Sequence, residues 1–583
     1  MEFLIPLFIF ILAFIPRFLA THKVDMTWDE GLYITCGAMS LKNVAARNFS
    51  SEAWSFEFHP PLMMYLYGMA YALYAFLTTM IRRRSIPSLG SLYREGLRLF
   101  AGRRALLVAR LPSVMLGSLS CVLVYFLCLD LFKSQLIGVA AALVLALTPS
   151  FIAWSSLAML ESGVAFFFLL TIWTLTRAVE LNSFNYLIIS GVSLGLTFGS
   201  KETGFGVPLV VIPWLVSTAF KNNALLVSAD VLNIGQTFLL WIALGLLTFY
   251  VTWPWLWKNP IKQFMKALRA TSDMASRKGA GWSFYLSNLF MSTPLVLAFL
   301  YGVGLVEALF LSVTQPYFLL LLSWIIVPLA LMSSPLVLKR GGAYEVSFVF
   351  VPLSILSSFA MYDFSKFIAE NANRFSMLSV NEESIFLLLS LILVGLLVVT
   401  CVKIHPYYVD YYNSVSKTHR NRLFGWWGEG MAEAVAYVDQ HAPRNSSVWI
   451  YGPKATALYH SSRVNLKESV GSEPLFYERS KAGFDVQISE DFYTWREGDL
   501  RFCFPYYYSG KHSNLNVAQL KAENVSYIVV YRWATYDPAI TAMDSGNYKV
   551  VCILRSSPPV FTSRIKGVEV CWVYKVQDLM VKT

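Results

Sequence analysis

The sequence predicts a polytopic α-helical membrane protein with a soluble α/β domain behind its membrane part. Three observations carry this prediction. Of the 583 residues, 56% are hydrophobic and 15% aromatic against 14% charged, which leaves too little polar surface to cover a soluble enzyme. Apolar runs of roughly 17 to 25 residues, each long enough to cross a hydrocarbon core of about 30 Å as a helix, recur up to about residue 403. Beyond that point they stop, and short β-rich segments alternate with turn-rich ones.

The first run, Phe3 to Leu19, follows a single acidic residue with no basic segment ahead of it, and Arg17 stands where a small-residue cleavage site would be needed. It is therefore read as a retained helix. Apolar length and breaks at Pro, Gly or charges place about eleven spans at 3–20, 106–130, 136–154, 162–178, 186–200, 204–220, 235–252, 293–312, 317–334, 344–361 and 385–403. The stretch Leu62 to Leu77, after His59-Pro60-Pro61, is either a further short span or a helix lying in the interface. If it spans, Arg82, Arg83, Arg84, Arg94, Arg98, Arg103 and Arg104 fall inside, as positive-inside bias favours, and both termini are cytoplasmic. If it lies flat, those arginines and the C-terminal region are outside.

Residues 404–583 form the expected second domain, after a membrane domain of residues 1–403 whose first loop covers about 21–105. Met431 to Gln440 has helical apolar spacing, while Ser447–Tyr451, Val525–Tyr531 and Val550–Leu554 read as strands. Asn48, Asn445 and Asn524 open N-x-[ST] triplets, all outside in the flat-helix topology. The seven cysteines show no C-x-x-C pairing, so neither a zinc site nor a disulfide framework is indicated; Cys552 and Cys571 either bridge neighbouring strands or stay free thiols. The formal charge of +11 sits largely in short loops between apolar runs, where membrane orientation accounts for it without nucleic acid.

Chemistry is suggested by a few polar residues against this background. Asp29 and Glu30 lie just beyond the first span, and helical neighbours about 100° apart cannot flank one bond as a glycosidase pair does. A single base suffices for a sugar on a lipid phosphate: the phosphate leaves without protonation, while the acceptor hydroxyl must lose its proton. Cations or hydrogen-bond donors must then meet the leaving group. Glu161, Lys201, Glu202 and Lys339-Arg340 before Tyr344 are charges within or beside spans, functional candidates by default, with helix-end snorkelling as the plain alternative.

The order Trp28-Asp29-Glu30-Gly31, His59-Pro60-Pro61-Leu62, Arg110-Leu-Pro-Ser113, Met159-Leu-Glu161 and Lys201-Glu202-Thr-Gly204 resembles the GT-C superfamily, and within it the protein O-mannosyltransferase and aminoarabinose-transferase-like branch. Trp253-Pro-Trp-Leu-Trp-Lys-Asn-Pro260, His405-Pro-Tyr-Tyr-Val-Asp-Tyr-Tyr-Asn413 and Gly425-Trp-Trp-Gly-Glu-Gly-Met431 extend the similarity to about residue 440. The resemblance implies an inverting transferase that uses a polyprenyl- or dolichyl-phosphate sugar, with an interfacial helix in its first extracytoplasmic loop, the N-terminus cytoplasmic and the C-terminal domain extracytoplasmic. It favours the flat helix. It also implies Asp29 as base with Glu30 orienting it or binding acceptor, Glu161 at the cavity mouth, and His59 on phosphate where relatives often carry Lys. Arg340 and Tyr344 match an Arg-x-Tyr-like stretch near the lipid phosphate, although two glycines intervene here. The partners implied are the lipid-linked donor, membrane lipids and a protein, glycan or lipid acceptor. A divalent metal is left open by the resemblance, and no His/Asp cluster at ligand spacing calls for one. The tail has no Trp-Trp-Asp-Tyr-Gly signature of an oligosaccharyltransferase subunit. The competing classes are a secondary transporter, against which the lack of internal similarity counts, and a non-catalytic scaffold on the same fold.

Overall fold

The computed structural model describes residues 3–27, 29–50, 54, 59–83, 103–221, 228–275, 282–334, 343–375, 381–416, 427–463, 500–503, 520, 522–535 and 545–579. The chain divides into two compact units. One comprises Met1–His22, Phe49–Leu66 and Arg110–Ser416; the other comprises Lys23–Asn48, Tyr67–Ala109 and Lys417–Thr583. Much of the first loop thus belongs with the C-terminal region.

The first unit is helical, and each of the eleven predicted spans is found in helix. Among the described residues of the chain, nine helices are long and apolar enough to cross a membrane, or ten if Gln135–Ala146 and Pro149–Ser155 are one span bent by 66°. The bend has a local cause: Thr148, ahead of Pro149, is held in extended backbone (ψ 115°), as the proline ring demands. Phe184–Ser200 and Leu295–Leu311 are shorter apolar helices. Leu62–Arg83, the ambiguous stretch, is a continuous helix and the least apolar of the nine.

Small residues let the helices approach. Gly191 and Gly195, one turn apart on Phe184–Ser200, face Leu244, Gly245 and Thr248 of the helix Ser228–Thr252; a Cβ on Gly195 would lie 2.5 Å from the Gly245 carbonyl oxygen. This is the small-xxx-small packing of membrane helices. Hydroxyls and an indole satisfy one another across the seam: Trp241 Nε1 donates to Ser190 Oγ (2.9 Å), and Ser190 Oγ donates to the Thr171 carbonyl (2.9 Å). The sequence motifs also hold helix ends. Arg110 Nη1 donates to the Thr21 carbonyl (2.9 Å), Ser162 Oγ donates to Ser113 Oγ (3.0 Å), and Asn413 Nδ2 donates to the carbonyls of Phe290 (2.8 Å) and Thr293 (3.1 Å).

The second unit contains a five-stranded sheet, β1 Ser446–Tyr451, β2 Leu500–Cys503, β3 Val525–Tyr531, β4 Phe561–Ile565 and β5 Val568–Lys575, in the order β2-β1-β3-β5-β4. β1 pairs in parallel with β2 and β3, and β5 pairs antiparallel with β3 and β4. The helix Met431–His441 buries Met431, Ala434, Val435 and Val438 in the domain core, the spacing of one helical face. Two of the predicted strands are β1 and β3. The third is corrected: Val550–Leu554 lies in the helix Ser545–Arg555, burying Val550, Val551 and Leu554 while Cys552 and Ile553 stay exposed, a pattern of helical period. Cys552 therefore sits on a helix and Cys571 on β5, and both are free thiols. β4 and β5 join through Lys566 (φ 50°) and Gly567 (φ 81°), the left-handed pair a two-residue hairpin of this twist requires.

Gly195→Leu is expected to force the two helices apart and to lower the thermal unfolding midpoint in detergent. Gly235→Leu, at a position with open space around its Cα, is expected to leave the midpoint unchanged or raised.

Candidate active site

The chain breaks its helical run at Lys201, where an extended residue (φ −164°, ψ 153°) separates the helix Phe184–Ser200 from the short 3-10 turn Glu202–Gly206. Gly204 permits the turn to fold back, since a Cβ there would meet the Thr197 carbonyl oxygen at 2.6 Å. The break turns two neighbouring charges to different partners. Lys201 Nζ donates to Glu161 Oε1 (2.8 Å) and to Glu345 Oε2 (2.9 Å), with the three side chains 6%, 4% and 13% exposed. Glu161 opens the helix Glu161–Glu180, where the helix dipole favours a carboxylate. The Tyr344 ring lies 5.4 Å from the same ammonium and packs on Trp154 at 4.8 Å. Glu202 Oε2 is 2.8 Å from His59 Nδ1.

Of the predicted residues in the first unit, the structure therefore brings Glu161, Lys201 and Tyr344 together and pairs His59 with Glu202; Arg340 lies outside the described residues. Glu345 was missed by the sequence reading, although the rule that selected Glu161, an acidic residue at the head of an apolar span, also applies to it. Glu161 Oε2 is buried and has no hydrogen-bond partner among the described residues.

Asp29 and Glu30 belong to the second unit. Glu30 is fully buried at the start of the helix Glu30–Ala45, and its Oε2 accepts the Thr27 N–H (2.8 Å); Asp29 is half-buried one residue earlier. The two adjacent acidic residues thus differ in burial, with Glu30 fully buried and Asp29 half-buried. Ahead of them Asp25 Oδ2 accepts the amides of Gly430 (2.9 Å) and Ala432 (3.4 Å), at the N-terminus of Met431–His441. Glu429 is buried beside this contact: its Oε2 accepts from Trp427 N (3.0 Å) and Tyr531 Oη (2.8 Å), while Oε1 has no partner among the described residues. Burial pushes its carboxyl up to about 7, helped by the nearby Asp25 charge.

Among the described residues no three His, Cys, Asp or Glu side chains converge as a metal site would require. Glu161 and Glu345 converge on the Lys201 ammonium, which takes the place a metal cation would fill.

The sequence profile of the family described as dolichyl-phosphate-mannose-protein mannosyltransferase matches residues 87–256. The fold is similar to that of ArnT from Cupriavidus metallidurans, solved in the apo state and bound to undecaprenyl phosphate, with a TM-score of 0.50, 12% identity and 97% of each chain covered. Lower similarity is found to the archaeal oligosaccharyltransferase AglB from Archaeoglobus fulgidus (TM-score 0.45, 13% identity, 94% of this chain and 72% of that one). It is also found to the S. cerevisiae protein O-mannosyltransferase Pmt1-Pmt2 complex (TM-score 0.32, 14% identity, 45% and 34%). Comparison with curated proteins gives no significant match. The profile match over residues 87–256 and the ArnT-like fold accord with a multi-pass membrane protein.

Lys201→Met leaves Glu161 and Glu345 buried without their cation and is expected to cost about 3–5 kcal/mol, read as a lowered unfolding midpoint. Adding Glu161→Gln and Glu345→Gln is expected to recover most of it. For Glu429 the sign follows from its raised value: the folded state keeps a proton that the unfolded chain has released, so stability falls as pH rises from the ordinary carboxylate range to about 7. Glu429→Gln is expected to flatten that fall, with unfolding midpoints at pH 5 and pH 8 closer together than in the parent.

Proposed function

We propose that the chain transfers a sugar, with a mannose-like hexose as first choice, from a polyprenyl- or dolichyl-phosphate carrier to an acceptor hydroxyl on a protein, glycan or lipid, with inversion at the anomeric carbon. The observation that carries this reading is the mannosyltransferase profile match across residues 87–256. The undecaprenyl phosphate held by ArnT, a protein of similar fold, supports the class of carrier. In this reading the N-terminus is cytoplasmic and the reaction, with the C-terminal domain, is extracytoplasmic.

Asp29 is the base. The residue is half-buried, whereas Glu30 is fully buried with its carboxylate on the Thr27 amide, where it orients the start of the helix. The base takes the proton of the attacking hydroxyl as the anomeric C–O bond to phosphate breaks, and the phosphate departs with its electron pair as a stable anion. His59, positioned by Glu202, contacts that phosphate, and Arg340 and Tyr344 serve the same end. The oxygen of Glu161 that Lys201 leaves unused accepts a sugar hydroxyl. Lys201 itself, already matched by two carboxylates, holds Glu161 and Glu345 in place.

Purified protein in lipid, given a panel of labelled polyprenyl-phosphate sugars with mannose first, is expected to release lipid phosphate. Asp29→Asn should lower kcat by roughly 10²–10⁴-fold, and His59→Ala should chiefly raise the donor KM. Undiminished turnover in Asp29→Asn would remove Asp29 as base, and no turnover with any donor of the panel would count against the proposed donor class.

A further inference from the structure

The run Trp427-Gly428-Glu429-Gly430 has no part in the chemistry proposed above, yet its backbone is closely constrained. Gly428 (φ +109°) and Gly430 (φ +79°) both occupy backbone that side chains avoid. A Cβ on Gly428 would stand 3.1 Å from the Met26 carbonyl oxygen and from Thr456, and one on Gly430 would stand 2.6 Å from Ser563 Oγ. The loop is shaped by what lies against it.

Its place in the sheet explains why. In the order β2-β1-β3 the parallel strands leave β1 toward opposite flanks, so the topological switch point lies between β1 and β3. Parallel sheets hold their ligands in the crevice outside the carboxyl ends of the strands at that point. Here those ends are Tyr451 and Tyr531. Tyr531 Oη accepts the Gly428 N–H (2.7 Å) and donates to Glu429, fixing the loop over the end of β3. The helix Lys454–His460, which follows β1, turns two groups to the first loop: Thr456 Oγ1 donates to the Met26 carbonyl (3.0 Å), and His460 Nε2 accepts the Met26 N–H (3.4 Å). Asp25 completes the grip from the other side by capping Gly430 and Ala432. The segment seated at this edge is therefore part of the chain itself.

We infer that the C-terminal domain is a clamp on the first loop: the sheet edge that would bind a small molecule grips Asp25 and Met26 and so sets the backbone from which Asp29 and Glu30 project. This rests on the reading of Asp29 as base. Only two residues separate Met26 from Asp29 in the sequence, and the Thr27 amide is tied forward to Glu30 (2.8 Å), so the position of Met26 bears directly on the start of the helix that carries Glu30. Asp25 and Thr456 are positioning residues in this account, since neither is assigned a contact with substrate.

The test uses the full-length protein in lipid. Thr456→Val keeps the side-chain shape and removes the hydrogen bond to Met26, Thr456→Ser restores the hydroxyl, and Asp25→Ala against Asp25→Asn repeats the comparison at the cap. Thr456→Val, which loses one hydrogen bond, and Asp25→Ala, which loses two, are each expected to speed amide hydrogen exchange over residues 26–33 and to lower kcat by roughly tenfold or more. The donor KM should stay within about twofold, and Thr456→Ser and Asp25→Asn should return both readouts toward the parent. Unchanged exchange in Thr456→Val and Asp25→Ala overturns the clamp; faster exchange with unchanged kcat overturns its role in catalysis. If the parent turns over no donor, the proposed function fails on that result, and the exchange measurement still decides whether the domain holds the loop.

Discussion

One ammonium group organises the membrane part of this protein. A lysine placed among apolar helices must have its charge met, and Lys201 meets it with Glu161 and Glu345, carboxylates from two other helical segments. For Nζ to reach both, the chain has to leave the helix at Ser200, run extended for one residue and turn again at once. The same break gives Glu202 its own direction and its contact with His59. The glycines of the seam below then let the Phe184–Ser200 helix lie close enough to its neighbour for the break to be held in one position. Charge, backbone break and helix packing are in this sense a single arrangement.

The second unit follows a different logic. Its helix Met431–His441 begins with a left-handed glycine that brings no side-chain cap, and the missing acceptor arrives from Asp25, some 400 residues earlier in the chain. A domain that depends on a distant segment for a helix cap cannot be separated from that segment without loss. That dependence explains why residues 23–48 cluster with the C-terminal region rather than with the helices that follow them in sequence.

Much of this was legible in the residues. Apolar length alone located the spans, because a helix crossing hydrocarbon has to be long, apolar and internally hydrogen-bonded, and few sequences meet that condition by accident. The rule that buried charges are expensive singles out Glu161, Lys201 and Glu202, and it applies equally to Glu345, which stands in the sequence close behind the basic pair Lys339-Arg340. Val550–Leu554 misled because a run of five apolar residues has no visible period until its exposed members, Cys552 and Ile553, are known. β4 and β5 were overlooked although Lys566-Gly567 is a plausible hairpin turn, since the flanking residues do not alternate cleanly.

The sequence by itself determined the membrane character of the protein, the places and order of its long apolar helices, and the residue types available for chemistry. These are properties of composition and period, which are local. Only the tertiary structure decided which charge answers which: that Lys201 serves two carboxylates, that His59 faces Glu202, that Glu30 accepts a backbone amide, and that Asp25 caps a helix in the last third of the chain. The physical reason is that a hydrogen bond or ion pair depends on a separation of about 3 Å in space, and separation along the chain, here from 3 residues to 405, carries no trace of it.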